Sequence, residues 1–119
     1  MMICLTGDVH HMRARSHREL VGSTEVEIAK KCVEIAEAHD VKVTLHITGQ
    51  TFEEEYESVI ELLEYENLEI GGHTYSALKP RALHYSFGLV SSSYYGPRFY
   101  QSIDIKKTIN IINKTTGRR

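Results

Sequence analysis

Two residues of this chain combine reactive side chains with the flanking pattern of a hydrolytic site. Asp8 closes a short apolar run, and His73 follows the glycine pair Gly71-Gly72. A carboxylate and an imidazole can hold a divalent ion such as zinc, which takes aspartate oxygen and histidine nitrogen. They can equally act as base and ligand around a metal-bound water, which the ion makes acidic enough to attack an acyl carbon. His10 and His11 extend the set beside Asp8, and His17 crowds the same stretch. On residue types alone a plainer reading stands beside this one, in which Asp8 caps the following loop and the histidines face solvent. Cys4 and Cys32 form no CxxC pair, so a thiolate zinc site is not expected. Both fall in apolar patterns, where a free cysteine behaves as a small buried hydrophobe.

The elements that must position these residues follow from periodicity. Met2 to Thr6 reads as a buried strand ending at Gly7-Asp8. Residues 9–22 are polar, carry no clear period, and read as a functional loop. Thr24 and Glu27 make a capping box for a helix with Ile28, Cys32, Ile35 and Ala36 on its apolar face. Val41 to Thr48 alternates apolar and polar residues, as a strand does, and Gly49 breaks it. Thr51 and Glu54 suggest a second capping box, ahead of a helix with Phe52, Tyr56, Val59, Ile60 and Leu63 along one stripe. Leu68-Glu69-Ile70 is a third strand, closed by the glycine pair. Pro80 starts a short helix through Leu83, residues 91–97 form a loop, and Ser102 caps a last helix that Gly117 ends.

Strands alternating with helices imply parallel pairing through right-handed crossovers. Ligands of such sheets bind at the carboxyl ends of the strands. That rule carries Asp8 and His73 to one rim. The expected fold class is α/β, an incomplete, irregular (β/α) barrel of parallel strands with flanking helices, over residues 1–119 as one domain. A closed eight-stranded barrel takes about 250 residues. The chain stops at Arg118-Arg119 directly after a helix, where the next strand is due, so truncation is expected.

The bulk numbers narrow the function. Hydrophobic residues make up 41% and charged residues 25%, as in ordinary soluble domains. The net charge of −2 offers no basic stripe for nucleic acid. No apolar run approaches the roughly 20 residues of a membrane span. The opening segment is too soon interrupted to be a signal peptide, so a cytoplasmic protein with reduced thiols is expected.

Val41 to Ala77 resembles the core of the polysaccharide deacetylase superfamily. The family runs from a strand ending in T-G, through a helix, to E-I-G-x-H-[ST]-x-x-H, and here that motif reads Glu69-Ile70-Gly71-Gly72-His73-Thr74-Tyr75-Ser76-Ala77. Leu5-Thr6-Gly7-Asp8-Val9-His10 resembles the family's first motif. The resemblance implies an incomplete barrel and a metal-dependent hydrolase, commonly zinc-bound, that removes acetyl groups from amino sugars or acts on a related C–N bond. It implies Asp8 as general base and His73 as the first metal-binding histidine. The chain departs from the pattern in three places. The second acidic residue of the first motif is replaced by Val9 or His10, the second histidine of the later motif is Ala77, and the family's further motifs have no counterpart here. His10 is expected to replace the missing acidic ligand, with His11 or Asp8 as a third.

Two other readings compete. A catalytically incomplete deacetylase-like fragment would act as a binding or oligomerising module, because unpaired sheet edges are templates for another chain. A homo-oligomer is the expected form, and light scattering that shows a stable monomer would count against it. Gly7-Asp8-Val9-His10 and Gly72-His73-Thr74 also resemble metallophosphoesterase elements, although that family's G-N-H-[DE] motif is absent. His46 is either a satisfied core histidine or points into the barrel. Tyr94, Tyr95, Phe99 and Tyr100 are expected to pack rather than stack on sugar rings.

Overall fold

The computed structural model of the chain describes residues 4–11, 23–91 and 93–117, so His17 and most of the first loop lie outside the described residues. Three strands form one parallel sheet in the order β1 (Leu5–Val9), β2 (Val43–Ile47), β3 (Leu68–Gly72). Five helices complete the described fold: α1 (Glu25–Ala38), α2 (Gly49–Glu54), α3 (Tyr56–Leu62), α4 (Arg81–Ser91) and α5 (Arg98–Thr116). The α/β class and parallel pairing hold. The barrel is not closed: β1 and β3 each have one unpaired edge among the described residues.

Side-chain alternation gives the sheet two different faces. Val43, Leu45 and Ile47 point to one face and are buried together with Val9, Phe52, Val59 and Leu62. Ile70 on β3 and Ile111 and Ile112 on α5 pack against this core. The opposite face carries Asp8, His46 and Gly71 in one register row, and Thr6, Thr44 and Glu69 in the row before it. Thr44 donates a hydrogen bond to Glu69 across the strands at 3.1 Å. The chemistry therefore collects on the polar face while the helices seal the apolar one.

Several local expectations are corrected. The capping box at Thr24 and Glu27 forms, but the buried stripe of α1 is Val26, Ala29, Val33 and Ala36. Ile35 is 63% exposed and Cys32 is also exposed. The first half of α1 presents two apolar stripes about one residue apart in angle, and the sheet takes the first. Cys4 is exposed as well, because the unpaired edge of β1 leaves it uncovered. The capping box at Thr51 and Glu54 does not form. Thr48 is the N-cap, accepting from the Thr51 amide, and Thr51 itself is buried inside α2. The single helix expected after it breaks at Glu55, which shifts the buried position from Leu63 to Leu62.

Gly71 and Gly72 lie within β3 rather than beyond it. A Cβ on Gly71 would stand 2.7 Å from His46 Nδ1, so glycine makes room for the imidazole on the neighbouring strand. Pro80 precedes a helix longer than expected. The last helix starts at Arg98, with Pro97 in extended conformation as its N-cap, rather than at Ser102. Gly117 ends it in the left-handed conformation, with φ 67°. No described helix is long and apolar enough to cross a membrane.

Candidate functional site

The rim at the carboxyl ends of the strands is built by backbone pairing. The Thr48 amide donates to the Val9 carbonyl, and the His73 amide donates to the Ile47 carbonyl at 3.0 Å. These bonds extend the ladder past the strand ends and fix Asp8, His10 and His73 relative to one another. His73 Nε2 lies 3.9 Å from Asp8 Oδ2. The His10 and His73 rings meet edge to face at 5.3 Å. Parallel register thus brings together three of the residues singled out from the sequence.

His11 goes elsewhere. Its Nε2 lies 2.6 Å from Glu54 and its Nδ1 2.9 Å from Glu55, so both ring nitrogens face carboxylates on the α2–α3 break. His11 joins the loop to that corner rather than standing with His73. Ala77 contributes no ligating atom; its amide donates to Thr74 Oγ1 at 3.2 Å. His46 is half-buried on the polar face beside Gly71, which answers its orientation in favour of the open side of the sheet.

Three residues given no role from the sequence shape the site. Glu25, in the first turn of α1, accepts the His10 amide at 2.7 Å and lies 3.2 Å from His10 Nδ1. Thr74 Oγ1 lies 3.1 Å from His73 Nδ1. In each imidazole a partner therefore engages Nδ1, an arrangement that fixes ring orientation and reserves Nε2 for a ligand. Glu25 has no sequence signal, because it works through a contact between separate elements, whereas Thr74 stands at the [ST] position of the motif and only its rotamer is not legible there. Tyr75 is a third such residue. Its amide donates to Asp104 Oδ2 at 2.9 Å, its carbonyl accepts from the Gln50 amide at 2.9 Å, and Lys107 Nζ sits 3.2 Å from the ring centroid. The segment carrying His73 is thereby bolted to α2 and α5.

Burial pushes the His73 pKa below the ordinary value of 6.5, because desolvation disfavours the imidazolium. Asp8 and Asp104 oppose that shift, and His10 and His46 reinforce it. The unfolded chain therefore takes this proton first as pH falls, and stability is lost on acidification through the region of 6.5. An NMR titration is expected to give His73 a midpoint below 6.5, and a midpoint at or above it would contradict this environment.

One carboxylate and two imidazoles with engaged Nδ1 atoms are a donor set that zinc accepts. Among the described residues, however, no group of three histidine, cysteine, aspartate or glutamate side chains stands close enough to hold an ion. The donor types suit a divalent ion, and the three side chains as placed do not enclose one.

The described residues form a three-stranded parallel α/β sheet with a carboxylate and an imidazole 3.9 Å apart at its carboxyl rim. Residues 21–119 match the polysaccharide deacetylase family, and the chain belongs to that family. The match places it among hydrolases acting on carbohydrate. It includes His73 but begins after β1, so Asp8, His10 and His11 rest on the sheet register alone. No curated protein and no solved structure matches the chain.

Proposed function

We propose that the protein is a metal-dependent deacetylase that removes acetyl groups from amino sugars or cleaves a related C–N bond. The observation that carries this reading is the 3.9 Å approach of Asp8 and His73 on the polar face of a sheet of this family. His73 and His10 would hold the ion through Nε2, with Thr74 and Glu25 orienting the rings. A divalent ion, taken here as zinc, would supply Lewis-acid polarisation of the acetyl oxygen. Asp8, 55% exposed and so open to substrate, takes a proton from water as it adds to the carbonyl carbon and returns it to the departing nitrogen. The C–N bond breaks, leaving acetate and a free amine.

A second reading has one specific observation in its favour. An apolar groove of about 540 Å³ runs between β1 and α1, lined by Leu5, Ile28, Cys32 and Leu45 beside an unpaired strand edge. A binding or self-associating module would use that surface and need no turnover. The metallophosphoesterase reading gains no support from the family match.

Calorimetry with zinc, after chelation, separates these readings. Wild type is expected to bind one ion, with affinity lost in His73→Ala and weakened in His10→Ala, and acetate release is expected to stop with chelator and return with a divalent ion. Failure of wild type to bind zinc would remove the metal-dependent reading.

A further inference from the structure

The overall charge of −2 conceals a division along the chain. Residues 78–119 carry eight lysines or arginines and one aspartate, a net +7, so residues 1–77 carry −9. Such an asymmetry points to an anionic partner for the basic part. Arg81, Arg98, Lys106 and Lys114 are exposed and form no ion pair with any described residue, so their charge is open to a partner.

Apolar surface stays bare on the same part of the molecule. Ten of the fourteen large apolar side chains exposed among the described residues belong to α4, α5 and the turn between them, which makes a patch rather than ordinary scatter. α4 reads RALHYSFGLVS, with Arg81 its one charged residue. A helix apolar on all sides is normally buried on all sides. Here one side is covered: His84 and Phe87 turn inward, and their rings meet each other and Tyr100 at 5.1 to 5.7 Å. Leu89 and Val90, turned away from that contact, are 72% and 88% exposed. Tyr94 lies against Gly88, where an added Cβ would stand 2.8 Å from its ring, and so links α4 to the start of α5. Of the four aromatic residues expected to pack at this turn, Tyr100 alone is drawn inward, while Tyr94, Tyr95 and Phe99 stay exposed. On α5, Phe99, Ile103, Lys106, Asn110 and Lys114 recur at intervals of three or four residues and share one exposed stripe. That stripe is apolar at its start and basic toward its end.

These features select among occupants. A second copy placed face to face would set one basic surface against another, which repels. The acidic part of another copy exposes Leu5, Ile35, Tyr56 and Leu63, spread over separate elements, and offers no matching apolar patch. Nucleic acid would engage the cations and the rings and leave Leu89 and Val90 in water. A membrane surface of anionic lipid engages all three kinds of side chain. Its phosphates take the lysines and arginines, its headgroup boundary takes the tyrosines, and its acyl region takes Leu89, Val90 and Phe99.

We propose that the outer face of α4 and the start of α5 docks the protein on the surface of an anionic lipid bilayer. The attachment is peripheral, since no described helix is long and apolar enough to cross. It is independent of the deacetylase reading.

The test is sedimentation of the full chain with vesicles of phosphatidylcholine, with and without about one-third phosphatidylglycerol. Wild type is expected to sediment with the anionic vesicles, to stay in solution with the neutral ones, and to be released by about 0.5 M salt. Lys106→Gln is expected to weaken partitioning about fivefold, the contribution of one basic residue near such a surface. Leu89→Ser is expected to weaken it about tenfold, the scale of one leucine taken out of water. Both positions are exposed, so the fold should tolerate the changes. Lys31→Glu, on an exposed site of α1, should leave partitioning unchanged. A wild type that stays in solution with anionic vesicles, or that sediments equally with both kinds, would overturn the proposal. Either variant binding as tightly as wild type would overturn it too, and an unaffected Leu89→Ser would mark a bare polyanion site. Light scattering that shows a dimer broken by Leu89→Ser, with no vesicle binding, would give the face to a second copy instead.

Discussion

Replacing Asp8 with asparagine is expected to reduce acetate release from an acetylated amino-sugar oligomer by roughly 10²–10⁴-fold, the usual contribution of a positioned general base. The substitution keeps the size of the side chain and removes its capacity to take a proton. Asp8 is exposed and sits at the end of an edge strand, so the fold should tolerate the change. If asparagine leaves kcat within a fewfold of wild type, Asp8 is not the base. The base role also separates from metal holding. A base requires that zinc binding survive in Asp8→Asn while turnover falls, whereas loss of both together would reassign Asp8 as a ligand.

The second large effect concerns the break between α2 and α3. Leu62 is fully buried and Leu63 is 36% exposed. Leu62→Ala is expected to destabilise the protein by about 2–5 kcal/mol, since a buried leucine loses its transfer energy and leaves a cavity. Leu63→Ala should cost about 0.5 kcal/mol, as surface substitutions do. Native domains hold only about 5–15 kcal/mol in total, so the first variant lies near the limit of folding. Urea denaturation midpoints read both values. Equal destabilisation, or the reverse order, would mean that the chain continues as one helix past Glu55 and buries Leu63.

The same pair of leucines shows where sequence reasoning stopped. A single helical stripe from Phe52 through Tyr56 and Val59 arrives at Leu63, and nothing local signals that Glu55 leaves the helix. At that corner His11 reaches across from the end of β1 and meets Glu54 and Glu55, a contact between elements distant in sequence. The N-cap shows a similar limit. Thr48 and Thr51 are both good capping residues, and burial of Thr51 in the core decides between them.

The α1 face is ambiguous for a related reason. Ile28, Cys32, Ile35 and Ala36 have proper helical spacing, and so have Val26, Ala29, Val33 and Ala36, so only Ala36 belongs to the expected and the buried stripe alike. Periodicity identifies a helix with apolar stripes. It does not say which stripe meets the sheet when neither is polar.

What the amino-acid order determined by itself is the alternation of strands and helices, the capping box at Thr24, the glycine end of α5 and the placement of Asp8 and His73 at the ends of their strands. These rest on local rules: periods of about 3.6 and 2 residues, capping chemistry and the carboxyl-end rule for parallel sheets. The tertiary structure alone decided that His10 joins His73 while His11 turns to Glu54 and Glu55, that Glu25 and Thr74 engage the two Nδ1 atoms, and that α4 packs on α5 through His84, Phe87 and Tyr100. Apart from the Thr74–His73 contact, which a side-chain rotamer sets between neighbours, each of these depends on side chains from elements distant in sequence meeting at a few ångströms, and no one-dimensional pattern encodes that distance.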